Sequence, residues 1–255
     1  MTHVVFFAGA AGAIGRRLTP LLVRSGHVVV GATRSEGKAP LIRAMGATPV
    51  VVDVFDAAAL AAAVERARAD VVMHQLTDLP AGLPAHRMQE GVERNARMRR
   101  DGTRNLVAAA LAAGARRIVA QSIAWAYAPG RAPHVETDPL DLDAAPPRAI
   151  TIAGVVALED AVLNQRQVDG VVLRYARLYG PGTGSDAADH AELRVHVDAA
   201  AYAALLAIDR GAGPYNIAES DARVSCEKAR RDLGWNASLR IAPDIVAHNE
   251  EGATT

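Results

Sequence analysis

The sequence predicts an α/β fold: a doubly wound parallel sheet covered by helices on both faces. Three observations predict it. Short apolar, β-branched runs alternate with segments of helical spacing through residue 179. A glycine-rich turn, Gly9-Ala10-Ala11-Gly12-Ala13-Ile14-Gly15, joins the first run to the first helical segment. Half of the 255 residues are hydrophobic, enough for one substantial core.

The elements follow in order. Residues 4–8 form a short apolar strand. Residues 14–25 are a helix, with Ile14, Leu18, Leu21 and Leu22 on one face and Gly26 as the stop. Residues 27–33 suit a strand buried on both faces, 38–45 a short helix closed by Gly46, and 49–53 a third strand. Asp56 is a good N-cap for an alanine-rich helix at 56–68. A fourth strand at 70–76 precedes a long helical stretch at 84–113, interrupted around Gly91 or Gly102. A fifth strand at 116–122 leads to a Pro- and Asp-rich loop at 123–148, a helix at 149–167 and a sixth strand at 170–179. Parallel strands need crossovers, so the alternation implies helices on both faces, with ligands at the carboxyl ends of the strands.

Composition narrows the function classes. Lys plus Arg equals Asp plus Glu, so no global field favours nucleic acid or an anionic membrane surface. Cys226 stands alone, so no intrachain disulfide forms, which suits a reducing compartment. The apolar start lacks a basic region and runs straight into the glycine turn, so it reads as a buried strand rather than a signal peptide. No stretch approaches the roughly 20 apolar residues of a membrane span. A cytoplasmic protein is expected. His74, His134, His190 and His196 match no common ligand spacing, so no metal site is expected.

Gly9, Gly12 and Gly15 permit a tight turn, a close approach of backbone to a pyrophosphate, and close helix–strand packing. The helix that follows offers free N–H groups to the phosphates. Strand before and helix after is the context a dinucleotide site requires. Arg16 and Arg17, just past the turn, either reinforce the phosphate site or face water.

The spacing is G-x-x-G-x-x-G, and here the chain resembles the extended and atypical short-chain dehydrogenase/reductases, the NAD-dependent epimerase/dehydratase group. Further motifs carry the resemblance: Asp53-Val54 after the third strand, Gly102-Thr103-Arg104-Asn105-Leu106, Leu173-Arg174-Tyr175 leading to Tyr179-Gly180-Pro181-Gly182, His196-Val197-Asp198, and Tyr215-Asn216-Ile217. They span about residues 3 to 235. The resemblance implies a Rossmann-type NAD(P)-binding domain at 1–180 and a reduced substrate region at 181–255 packed on it as one unit. The cofactor contacts it implies are Gly9, Ala11, Gly12, Ala13, Ile14 and Gly15 in the turn, Thr33, Arg34 and Ser35 after the second strand, Asp53 and Val54 after the third, Gln75, Leu76 and Thr77 after the fourth, Ser122 after the fifth, and Tyr175 and Ala176 after the sixth.

NAD binders usually place an acid after the second strand. This chain has Thr33-Arg34-Ser35 there, and Arg34 can pair with a 2′-phosphate, so NADP is favoured over NAD. Redox members of the family use a Ser, a Tyr and a Lys four residues after the Tyr, one helical turn apart. Alignment on Leu158-Glu159 puts Thr151 at the Tyr position and Val155 at the Lys position, and no Y-x-x-x-K occurs in the chain. Ser122 is the candidate for the serine, with Ile123 as the alternative occupant of its slot. Tyr127 is a candidate substitute proton donor; Ser122, Thr151, Tyr127 or an ordered water would manage the proton, and Arg177 is a candidate substrate contact. Only residues 183–195 separate Y-G-P-G from H-V-D, where the family usually carries a large substrate-binding insertion.

The resemblance therefore implies an atypical NAD(P)-dependent oxidoreductase or epimerase/dehydratase-like enzyme. Its substrate is expected to be a small carbonyl, alcohol or sugar-like molecule. Two other readings stand beside it: an inert NADP-binding sensor or partner-binding protein, and a non-redox isomerase or cyclase on the same scaffold. A homodimer through the helices at 84–113 and 149–167 is a further family expectation.

Overall fold

Alternation along the first strand decides the layers. In the computed structural model, which describes residues 1–80, 87–185 and 192–246, β1 runs Val4–Ala8. Val5 and Phe7 join one core with Ile14, Leu18 and Leu22 of α1 (Ala13–Arg24) and Ile42 of α2 (Ala39–Ala44). Phe6 and Ala8 join the opposite core, with Leu60 of α3 (Ala57–Ala67). Successive side chains of a strand point to opposite faces, so one five-residue run serves both layers. Phe6 and Phe7 are fully buried, and each such side chain contributes about 1.5–3 kcal/mol.

Six more strands complete the main sheet: β2 (Val28–Thr33), β3 (Thr48–Val51), β4 (Val71–His74), β5 (Arg117–Ile123), β6 (Asp169–Tyr175) and, after the short β7 (Arg177–Tyr179) and β8 (Arg194–His196), β9 (Gly213–Ile217). Their order is β3-β2-β1-β4-β5-β6-β9, and every pairing is parallel. The winding reverses between β1 and β4, so the crevice at their carboxyl ends is the switch point where such sheets bind ligands. This is the expected Rossmann-type doubly wound sheet. α4 (Met88–Arg97), α5 (Thr103–Ala112) and α6 (Arg148–Leu163) lie on the α3 side, and α7 (Val197–Leu206) packs on α1. A short α8 (Pro243–Val246) also touches α1.

Local chemistry accounts for most boundaries. Asp56 caps α3 by accepting from the Ala59 N–H at 3.0 Å, worth about 1 kcal/mol. The long helical stretch is interrupted by one π-helical turn, Met98–Gly102. Gly91 does not interrupt it. A Cβ there would lie 2.6 Å from Pro80 Cδ, so that glycine serves close packing. Pro84, the expected start of the stretch, lies outside the described residues.

The sixth strand is shorter than the 170–179 expected. It ends at Tyr175, where the Ala176 N–H donates to Ile217 O at 2.9 Å. Arg177–Tyr179 then leaves the sheet to pair with β8 in a separate two-stranded ribbon. An apolar run reads the same across such a corner. The helix expected at 149–167 stops at Leu163. Among the described residues, no helix is long and apolar enough to cross a membrane.

Candidate functional site

The glycine turn is a cradle made of backbone. Gly9 has φ +104°, and a Cβ on it would lie 2.7 Å from Gln75 O. A Cβ on Gly15 would lie 2.2 Å from Gly9 O and 2.4 Å from Ala10 O, so α1 sits too close to the turn for any side chain there. The Gly12 N–H donates to Gly9 O at 3.0 Å. Gly12 caps α1 without a side chain, and no acid stands in the first helical turn. The first N–H groups of α1 therefore keep their unspent hydrogen-bonding capacity and positive potential. Ala11 and Ile14 are buried and Ala13 is half-buried against the turn. A dinucleotide pyrophosphate fits this cradle.

The two arginines behind the turn divide. Arg16 folds back so that its Nε donates to Ala11 O at 3.3 Å. Arg17 neither faces water nor joins the turn: its Nε meets the buried Asp198 carboxylate at 2.6 Å, tying α1 to the H-V-D motif. Asp198 also accepts from the Ile241 N–H at 3.0 Å.

The strand ends gather at the same crevice. Thr33 Oγ1 accepts from the Ser35 N–H at 3.1 Å, leaving Arg34 exposed with its guanidinium 3.2 Å from Asp78. Asp53 accepts from the Phe55 N–H, and Asn105 of the G-T-R-N-L motif donates to Val54 O at 2.9 Å. Leu76 O accepts from Gln121 Nε2, and Thr77 is exposed. The Gln75 side chain is buried beside the Tyr175 hydroxyl. Neither atom of its amide makes a hydrogen bond among the described residues, an uncommon state for a buried polar group. Tyr175 donates to Ala200 O at 3.3 Å, and Ala176 is buried beside it.

His74 is a core histidine. The Leu76 N–H donates to its Nδ1, which puts the proton on Nε2, 2.9 Å from Thr103 Oγ1. Burial, and then the nearby Arg99, hold its pKa down to about 4.

Ser122, Tyr127 and two acids meet in a buried network around Arg174. Ser122 Oγ donates to Glu159 Oε1 at 2.7 Å. Arg174 spans both Glu159 oxygens, at 3.0 and 2.6 Å, and donates to the Tyr127 hydroxyl at 2.8 Å. That hydroxyl donates to Asn216 Oδ1 at 2.7 Å, and Glu136 accepts from the Asn216 N–H at 2.8 Å. Burial pushes the Tyr127 hydroxyl pKa up. Sequence reasoning missed Glu159, Arg174 and Glu136 as partners. The signal was present: one charge in the apolar run Val171-Val172-Leu173-Arg174 and one in Val155-Val156-Ala157-Leu158-Glu159. Thr151 is half-buried on α6. Val155 is fully buried in a small apolar cluster with Ile123, Ala126 and Ile152.

Beside this network a cleft of about 480 Å³ opens past the ends of β5 and β6. Trp125, Tyr127, His134, Arg177, Glu192 and Arg223 line it. The Arg177 guanidinium lies 5.4 Å from the Trp125 ring centre and 3.1 Å from Glu192. His134 stacks on Tyr127 at 4.9 Å and pairs through Nδ1 with Asp138 at 3.0 Å. Among the described residues, no group of three or more His, Cys, Asp and Glu could hold a metal. His190 lies outside them.

The profile of a family described as NAD(P)H-binding matches residues 9–201. A 3-diazoavenalumate denitrifying reductase from a Streptomyces species is 45% identical over 182 residues, 71% of this chain and 58% of that protein. The chain thus spans little more than half the length of that curated relative. Two UDP-glucose 4-epimerase structures share the fold. One, from Thermotoga maritima with UDP-glucose, gives a TM-score of 0.74 at 19% identity and covers 98% of each chain. The other, from Thermus thermophilus in complex with NAD, gives 0.74 at 19% identity and covers 100% of each. The resemblance carried by the motifs is borne out.

Proposed function

The chain belongs to the NAD(P)H-binding family, and from that premise we propose that it is a reductase that removes a diazo group from a small aromatic molecule. One observation carries this reading. On the family alignment, the Tyr and Lys positions of α6 fall on the half-buried Thr151 and the fully buried Val155, and neither side chain can deliver a proton as that pair does. Reduction of a carbonyl needs a proton on oxygen. Reductive loss of nitrogen does not: the electron pair of the hydride forms the new C–H bond, and the pair of the C–N bond leaves with N₂. No proton is taken up or released. The name of the Streptomyces relative describes this class of reaction.

When bound, the reduced dinucleotide supplies the hydride. The chain's own residues do the rest. Gly9, Gly12 and Gly15 admit the pyrophosphate, Asp53 and Val54 border the adenine side, and Gln75, Leu76, Thr77, Ser122, Tyr175 and Ala176 border the ribose and nicotinamide side. Arg34, exposed beyond β2, supports NADP as the preferred form. Ser122, held by Glu159, and Tyr127, held by Arg174, keep the cleft wall rigid, and Arg177 meets the substrate. The family resemblance supports a homodimer through the helices at 84–113 and 149–167.

The test is turnover. NADPH with 4-carboxybenzenediazonium under anaerobic conditions should give benzoate, N₂ and NADP⁺ in equal amounts above the uncatalysed rate. Oxidation of NADPH by a carbonyl panel but not by the diazonium salt would overturn the reading. Tight NADPH binding with no acceptor at all would favour an inert binding protein.

A further inference from the structure

The cleft past β5 and β6 has one apolar aromatic wall and one cationic wall. Trp125, half-buried in the loop after β5, offers a ring face. Tyr127 and His134, stacked nearly parallel, extend the aromatic lining. Arg177, on the ribbon strand β7, lies over the Trp125 ring with its guanidinium 5.4 Å from the ring centre. Its partner Glu192 is also a cleft residue, and the two side chains are 54% and 44% exposed. An ion pair this exposed contributes little stability, so a ligand carboxylate can take the place of Glu192. An arginine fork matches a carboxylate through two parallel hydrogen bonds. A planar ring ending in that carboxylate would lie along Trp125.

We propose that this cleft recognises a planar aromatic acid, with the ring along Trp125 and the carboxylate on Arg177 in place of Glu192. The proposal rests on the reductase reading, for which it names the substrate class. Glu192 then acts as an internal competitor: it holds Arg177 in position and gives way to ligand.

The test is calorimetric titration of the full chain, without dinucleotide, using trans-cinnamate, cinnamamide and 3-cyclohexylpropanoate. Cinnamate should bind at least about tenfold tighter than the amide, as a charge-assisted pair requires. Arg177→Gln should erase that ratio. Glu192→Gln should tighten cinnamate about threefold, an effect that a merely structural salt bridge would not produce. Trp125→Leu should weaken cinnamate and its amide together, and the cyclohexyl acid should bind more weakly than cinnamate. Equal binding of acid and amide, or weaker cinnamate binding by Glu192→Gln, would overturn the assignment. Diazonium turnover without preference for the acid sinks this proposal alone. Preference for the acid without turnover sinks the reductase reading and leaves the cleft assigned.

Discussion

The glycine turn and the cleft past β5 and β6 sit at the same edge of the sheet but are built from different materials. The turn uses backbone from seven consecutive residues, and its specificity is steric: Gly15 has no space for a methyl group. The cleft uses side chains from segments far apart in sequence, from Trp125 to Arg223. It is held by charges buried away from water, chiefly Arg174 and Glu159. A backbone site needs only the right local conformation. A side-chain site needs the whole fold in register, and it can change chemistry while the fold persists. Here the glycine turn is kept, while Val155 of α6 lies in a small apolar cluster with Ile123, Ala126 and Ile152.

Three perturbations would break or sharpen that contrast. The largest effect belongs to Glu159→Leu. It leaves Arg174 buried with an uncompensated charge, and loss of one partner of a buried pair costs about 3–5 kcal/mol. Denaturant unfolding should show that loss, and adding Arg174→Met should recover part of it. If the single variant costs less than about 1 kcal/mol, the network does not hold the cleft as argued.

Next comes the turn. Gly15→Ala drives a Cβ into two carbonyl oxygens, and should cost roughly 3 kcal/mol, the upper end of overpacking, with loss of dinucleotide binding. Gly12→Ala is the matched control. Gly12 has φ −81° and is exposed, and its Cβ would lie 3.3 Å from Gly9 O. The melting temperature should hardly move while NADPH affinity falls. Equal destabilisation by both substitutions would mean that the turn is a packing device rather than a binding surface.

The smallest effect is Arg34→Ala. The Arg34–Asp78 pair is exposed on the Arg34 side, so folding should be unaffected within about 0.5 kcal/mol. NADPH should weaken about tenfold, or 1.4 kcal/mol, against no change for NADH. Equal loss for both dinucleotides would remove the NADP preference.

Much of the dinucleotide half is legible in the amino-acid sequence alone. The glycine turn, the Asp53 turn, the Asp56 cap and the strand–helix alternation are local features, and each lies within a few residues of the ones that define it. Even so, the sequence pattern carries the sixth strand through its corner, because an apolar run does not reveal which partner strand receives it. Arg17 reads as a phosphate or solvent residue, because Asp198 lies 181 positions away.

The sequence by itself determined the fold class, the glycine cradle and the absence of a Tyr-x-x-x-Lys pair, since all three depend on residue types at short spacing. Only the tertiary structure decided which side chains meet beyond the ends of β5 and β6. Val155 proved to be core, Ser122 and Tyr127 proved to be members of one network centred on Arg174, and Trp125, Arg177 and Glu192 came together as a cleft. The physical reason is separation. Hydrogen bonds and ion pairs join any residues that packing brings within about 3 Å, and packing is a property of the whole chain.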